Sequence, residues 1–445
     1  MSAGTRIVKR PANWKEAIAK DSIGICVFAR GAGEGNTYKP GSALNYAGEA
    51  TGEDPLKLSA DELAVVEAAK ETCSKVIVLL NTGNNMMIAD IAEGGSHEVD
   101  GICYIGCPND YQTIGIANVL TGKVNATGAL ASAFVRDHQS IPAVQNVGGD
   151  YFADYEIVCR NDDPRYPGKE IGNIGTGSFG GADTYNGGMY IVEAEGIYVG
   201  YKYYETRYED AVMEQGNASG NAGIFASKGD SWVYGEEVAY PFGYGMSYTT
   251  FEQALESVTY DAATDSFTVL VKVTNTGNVA GKEVVQVYGQ QPYTEFDRAN
   301  AIEKASVQLV GFGKTNVLQP GESETVSVTV DRKELTVYDE HVNKTYILEA
   351  GDYYLSVGLD AHDAVNNILA AKGYAPIAQE TPAAEGAEEA ETATLTANGA
   401  AAMDAPGDAA KVYKFTVDSD DNAMYSVSGT GYKITNQFGD ADLNS

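Results

Sequence analysis

Near the amino end an apolar run, Ile23-Gly-Ile-Cys-Val-Phe28, stops abruptly in Ala29-Arg-Gly-Ala-Gly-Glu-Gly-Asn36, a glycine-rich loop with one carboxylate. So short an apolar run, closed by glycines, predicts a buried strand of a parallel sheet with the loop at its carboxyl end. Open α/β sheets bind their ligands at that edge, so the run constrains both the fold and the place of a site. Gly31, Gly33 and Gly35 let the backbone turn tightly and approach a ligand, and Glu34 is the loop's side chain able to move a proton. The same residues also suit a solvated glutamate in a flexible loop, and the loop alone does not choose between the two.

The pattern continues downstream. Ser59-Ala-Asp-Glu62 is a capping box, followed by Leu63, Val66, Ala69 and Cys73 at helical spacing. Lys75-Val-Ile-Val-Leu-Leu80 predicts a second buried strand ending at Asn81-Thr-Gly-Asn-Asn85, and Gly101-Ile-Cys-Tyr-Ile105 a third. Residues 109–121 read as a helix with Ile114, Ala117 and Leu120 on one face and Gly122 as its stop. Strand and helix alternate, which predicts an α/β open sandwich with a mainly parallel sheet over residues 1–250. His97, beside Gly94 and Gly95, is a candidate base and equally a surface-loop histidine. Residues 141–240 are rich in Gly, Asn, Asp and Tyr and read as long functional loops whose aromatic faces suit sugar rings.

From about 251 the period changes to two. Phe267, Val269, Val271 and Val273 alternate with Thr268, Leu270 and Lys272; Val326, Val328 and Val330 alternate again, and residues 353–357 form a late strand. Short alternating strands separated by turns predict an all-β immunoglobulin-like or fibronectin type III-like sandwich over 251–365. Residues 366–409 read as an acidic flexible linker, and 410–445 as a short β segment.

The 62 acidic against 30 basic residues give a net charge of −32, which argues against nucleic acid or an anionic membrane and for a neutral or cationic ligand. The five cysteines, 26, 73, 103, 107 and 159, are an odd number, read as reduced core residues, and no His or second Cys pair completes a zinc set. No metal or organic cofactor is implied. With no apolar signal region and no run of about eighteen apolar residues, the chain as given is expected to be soluble and cytoplasmic.

Several stretches, taken in order, resemble the family 3 glycoside hydrolases, the β-glucosidase group. They are residues 30–35, Lys75-Val-Ile-Val-Leu-Leu-Asn-Thr-Gly-Asn84, residues 117–128, Glu195-Gly-Ile-Tyr-Val-Gly-Tyr-Lys-Tyr-Tyr-Glu205 and Pro241-Phe-Gly-Tyr-Gly-Met-Ser-Tyr-Thr-Thr-Phe251, then residues 275–284 and 316–323. The resemblance covers roughly 15–365 and implies the family's α/β sandwich domain followed by its fibronectin type III-like domain. In many members a Gly-Glu-Gly loop carries the general acid/base, and Gly33-Glu34-Gly35 matches it residue for residue. Arg30 and Tyr38, beside that loop, are candidate sugar contacts, with structural roles as the alternative.

Three departures accompany the resemblance. Members usually place the nucleophilic Asp on a (β/α)8 barrel, and this sequence shows no eight-fold array of strands and helices. The family's opening strands are not evident before residue 15, and Gly106-Cys-Pro-Asn-Asp-Tyr-Gln112 stands where members often carry a Gly-Gln-Glu type turn. Residues 436–443 resemble the segment that leads into the barrel in members of reversed domain order. The resemblance therefore implies part of a retaining β-glycosidase acting on small β-glucosides or oligosaccharides. Glu34 would supply the acid/base and a barrel domain or chain the nucleophile, leaving the chain inactive alone. A non-catalytic carbohydrate-binding or assembly module, or a truncated gene fragment, are the alternatives.

Overall fold

Strand β1 (Ile23–Ala29) pairs in parallel with β2 (Lys75–Asn81), and β2 with β3 (Gly101–Tyr104), giving a three-stranded sheet of order β1-β2-β3. The computed structural model describes residues 13–18, 20–31, 41–44, 48–146, 176–179, 183–186, 195–215, 232–339, 341–376 and 403–424. Helix α1 (Ala60–Thr72) crosses between β1 and β2, and its capping box forms as the sequence implies, with the Ser59 side chain accepting from the Glu62 amide. One face of the sheet packs on α1 through Cys26, Phe28, Val66, Ala69, Val76, Val78 and Leu80.

The sheet departs from the sequence reading in one respect. Ile23, Ile25 and Val27, expected to be buried, are 60%, 50% and 54% exposed. β1 lies at the edge of the sheet, and among the described residues no helix covers its second face. Helix α2 (Gln112–Leu120) follows β3 with no buried residue, and Gly122 ends it in a positive-φ turn at +71°.

The region read as long loops contains a helix, α3 (Tyr201–Met213), after a short strand β4 (Phe134–Val135) and before β5 (Val238–Tyr240), which pairs with β4. Tyr203, Tyr204, Glu205, Thr206, Arg207, Tyr208, Glu209 and Val212 of α3 are all buried. A helix enclosed on every side shows no polar stripe, so hydrophobic periodicity does not reveal it. Of the region read as functional loops, residues 147–175, 180–182, 187–194 and 216–231 lie outside the described residues, Cys159 among them.

The second domain is the expected sandwich. One sheet has the order β10-β7-β6, from β6 (Phe251–Asp261), β7 (Ser266–Asn275) and β10 (Ser323–Asp331). The other has the order β9-β8-β11-β12, from β8 (Val284–Gln290), β9 (Gln308–Lys314), β11 (Gly351–Gly358) and β12 (Val412–Val417). Val326, Val328 and Val330 stand opposite Val271, Val269 and Phe267, and all six face the core. Each such side chain contributes about 1.5–3 kcal/mol by leaving water.

The boundary expected between 365 and 366 falls inside a helix, α4 (Ala361–Ala371), whose Ala364, Val365, Ile368 and Leu369 pack with α3 in a core shared by both domains. The chain returns at Met403, and β12, read as the start of a separate segment, adds to the sandwich beside β11. Residues 377–402 lie outside the described residues.

The Pro241-Phe-Gly-Tyr-Gly245 motif is the seam between the domains. The Gly243 amide donates to Leu130 O at 2.8 Å, its carbonyl accepts Gln286 Nε2 at 3.0 Å, and Phe242 O accepts the Ala361 amide at 2.9 Å. Gly243 has φ +87°, and a Cβ there would meet Gln286 Oε1 at 2.3 Å, so only glycine fits.

Near this seam burial pushes the Glu283 carboxyl from its ordinary 4.5 up to about 7, against the opposing pull of Gln253 and Lys314. The folded state therefore holds this proton more tightly than the unfolded chain. The stability it confers is complete below pH 4.5 and is lost as pH rises through 7. Urea midpoints should fall over that interval and should fall less in Glu283→Gln; an unchanged slope in the variant would assign the dependence to another group.

Candidate functional site

The carboxyl edge of the parallel sheet is the place to which the sequence reading assigns a site. β1 leaves the sheet through Arg30 and Gly31, whereas Glu34 and Tyr38 lie outside the described residues. The described stems of their loop are tied together by Arg30. Its Nη1 and Nη2 donate to the two Glu62 carboxylate oxygens, each at 2.7 Å; Nη2 also donates to Lys57 O at 2.7 Å and Nε to Pro55 O at 2.5 Å. The Arg30 amide meanwhile donates to Asn81 O of β2 at 3.3 Å.

The strand that leaves the sheet before the loop is thus held to the chain that returns after it. Glu62 serves twice, since its Oε2 also accepts the Ser59 amide at 2.9 Å in the cap of α1. Read from sequence as a candidate sugar contact, Arg30 has a guanidinium spent on these acceptors and only 15% exposed. A planar fork matches a carboxylate and flanking carbonyls in a way that an ammonium does not. Arg30→Lys should therefore destabilise the protein by about 1.5–3 kcal/mol, the worth of a hydrogen bond to a charged group. Chemical denaturation checks this, and a variant as stable as wild type would show that the clamp carries no energy.

The exits of β2 and β3 complete the edge. After β2, Thr82 is fully buried and its Oγ1 accepts the Asn84 amide at 2.9 Å, while Asn85 Nδ2 reaches Ser132 Oγ at 2.9 Å and Ala133 O at 3.1 Å. After β3, Gly106 turns at φ +62°. Asn109 Oδ1 then accepts the Gln112 amide at 3.0 Å and Gln112 Oε1 the Asn109 amide at 2.8 Å, a reciprocal cap for α2. Gln112 is used in that cap, and Tyr111 beside it is 84% exposed.

His97 is a surface-loop residue, with Nε2 3.3 Å from Glu67 Oε2 and Nδ1 2.9 Å from Ser96 Oγ. Of the cysteines, Cys26 is buried, Cys73 and Cys103 are half-buried and Cys107 is exposed, all as free thiols; burial pushes the Cys26 and Cys103 thiols up. Among the described residues no group of His, Cys, Asp and Glu could hold a metal ion, and no helix is long and apolar enough to cross a membrane.

Two charge clusters, one reaching the surface at Asp404 and one buried, escaped the sequence reading. His362, at the start of α4, has Nδ1 2.8 Å from Glu205 Oε2 and Nε2 3.0 Å from Asp404 Oδ1, with the Tyr234 ring stacked on it at 3.8 Å. Burial pulls its pKa down, but the two carboxylates outweigh this and carry it up to about 10. In the sandwich, Lys304 Nζ contacts Asp297 Oδ2 at 2.8 Å, Pro292 O at 2.7 Å and the Glu349 carboxylate. Both clusters join residues far apart in sequence, so no local motif announces them.

The described geometry is thus a parallel sheet whose β1 exit is tied down by Arg30, joined through a Phe-Gly-Tyr-Gly seam to a β-sandwich. The glycosyl hydrolase family 3 C-terminal domain matches residues 12–248, and the fibronectin type III-like domain matches 283–361. The chain belongs to glycosyl hydrolase family 3. It is 28% identical over 356 residues to a β-glucosidase from Ruminococcus albus, covering 79% of this chain and 28% of that protein. It is also 28% identical to an exo-α-(1→6)-L-arabinopyranosidase from Bifidobacterium longum, over 72% of this chain and 32% of the relative. Among solved structures, β-glucosidase 3B from Thermotoga neapolitana in complex with α-D-glucose matches with a TM-score of 0.51 at 28% identity, over 76% of this chain and 36% of that one. The chain thus spans about a third or less of the relatives' length.

Proposed function

We propose that this chain supplies the general acid/base, Glu34, to a retaining β-glycosidase of the β-glucosidase type whose aspartate nucleophile is carried on a (β/α)8 barrel outside these residues. What supports the reading is the sequence Gly33-Glu34-Gly35 directly after β1, whose carboxyl end is the edge at which open α/β sheets bind ligands, in a chain of this family. Retaining glycosidases need two carboxyl groups about 5 Å apart, one to attack the anomeric carbon and one to protonate the leaving oxygen. Glu34 takes the second role. It starts protonated, gives its proton to the glycosidic oxygen as that bond breaks, and then withdraws a proton from the water that releases the sugar.

In this reading Arg30 is a positioning residue, holding both stems of the loop so that Glu34 returns to one place in each cycle. Tyr38, within the loop, is the proposed contact to the sugar. The substrate class is a small β-glucoside or β-linked oligosaccharide, in keeping with the sugar-hydrolysing relatives.

The test is hydrolysis of a panel of chromogenic β-glycosides by the chain alone and after mixing with a family 3 barrel polypeptide. Turnover that requires the barrel supports the proposal. Saturable sugar binding by the chain without turnover in either case would replace it with a non-catalytic carbohydrate-binding module.

A further inference from the structure

Where the carboxyl ends of α3, β8 and α4 meet, the protein leaves a cleft of about 210 Å³. Its floor is a paired network: Glu209 Oε1 accepts Gln290 Nε2 at 2.9 Å and Lys372 Nζ at 2.7 Å, and Gln290 Nε2 also donates to Ser306 O at 2.6 Å. Glu209 and Gln290 are each only 3% exposed. Tyr354 forms a wall, with the Lys372 and Lys414 ammoniums 5.4 and 5.9 Å from its ring centre and Lys414 paired with Asp352 at 2.7 Å. Lys304, spent on Asp297 and Glu349, closes the back.

Each cation here is matched by a carboxylate: Lys372 by Glu209, Lys414 by Asp352, Lys304 by Asp297 and Glu349. Of the charged groups that line the cleft itself, Lys304 and Lys372 equal Glu209 and Asp352 in number, so the lining carries no net charge to select an anion or a cation. What it offers is amide and carboxylate groups in fixed positions and an aromatic wall. Glu209 Oε2 accepts no hydrogen bond among the described residues. A cleft of about 210 Å³ is room for one sugar ring and not for a chain of them.

We propose that this cleft binds a neutral monosaccharide, with Glu209 accepting from its hydroxyls and the Tyr354 side chain as the wall beside it. The proposal rests on the cleft's own geometry and not on the role of Glu34, so either reading can fail without the other.

The experiment is saturation-transfer NMR of the full chain with D-glucose, on wild type, Glu34→Ala, Glu209→Gln and Tyr354→Leu, with thermal melts of each. Transfer that persists in Glu34→Ala and weakens at least tenfold in both cleft variants is the expected result. If Glu209→Gln melts early, Tyr354→Leu, which keeps an apolar side chain at that position of β11, decides. No transfer in wild type, full transfer in Tyr354→Leu, or displacement of glucose by inorganic phosphate would overturn the proposal.

Discussion

A His362→Leu variant is expected to lose about 3 kcal/mol of stability, because removing the imidazolium leaves the buried Glu205 carboxylate uncompensated. The Glu205 side chain is 1% exposed and keeps a buried charge without the imidazolium, whereas Asp404 is 40% exposed and turns to solvent. Tyr234 still donates to Glu205 Oε1 at 2.6 Å, so that carboxylate keeps one bond, but its charge remains buried. The effect has a pH signature of definite sign. His362 is raised from 6.5 to about 10, so its contribution is complete below pH 6.5 and is lost as pH rises through 10. Wild-type denaturation midpoints should decline across that interval while the variant's stay flatter. Parallel profiles would mean that the cluster is not charged as described.

The second large effect is expected at Lys304. Its side chain is 3% exposed, and its carboxylate partners Asp297 and Glu349 are 0% and 4% exposed. Lys304→Met keeps the volume of the stem and removes the charge, which should cost about 3–5 kcal/mol. Burial pushes the Glu349 carboxyl up even with Lys304 present, so Glu349 is the member that gives way by taking a proton. Adding Glu349→Gln to Lys304→Met should recover part of the loss, since that position then holds no carboxylate that must take up a proton to lose its charge. Denaturant unfolding of the single and double variants checks this, and a double variant no more stable than Lys304→Met would contradict it.

What the sequence disclosed follows from the range over which each feature is encoded. The Ser59 and Glu62 cap was legible because both partners lie within one helical turn, and the Phe267 to Val273 strand because its alternation is local. Helix α3 was not, because Glu205 and Glu209 are buried as deeply as Tyr203, Tyr204 and Tyr208 and leave no contrast for periodicity to detect. Helix α4 does carry local signals, an Asp360 cap and an apolar stripe through Ala364, Ile368 and Leu369, but the acidic, alanine-rich stretch that follows drew its second half into the linker. His362 meets Glu205 and Asp404 across 157 and 42 residues, a separation that single-sequence reading cannot bridge.

The site divides in the same way. The glycines and lone carboxylate that follow β1 stand in the sequence, and so does the parallel strand that precedes them. The role of Arg30 does not, because two of its acceptors are the backbone carbonyls of Pro55 and Lys57, which no side-chain pattern reveals. The exposure of Ile23, Ile25 and Val27 likewise depends on what covers the sheet, not on the strand itself.

The most direct test of the acid/base assignment is azide rescue of Glu34→Ala in the presence of the barrel, with an aryl β-glucoside bearing a good leaving group. Loss of general acid/base catalysis should lower turnover by about 10²–10⁴-fold. Azide, which needs no base to attack the glycosyl-enzyme, should restore it and yield the β-glycosyl azide. Normal turnover by the variant, or loss of turnover that azide leaves unchanged, would contradict Glu34 as the acid/base.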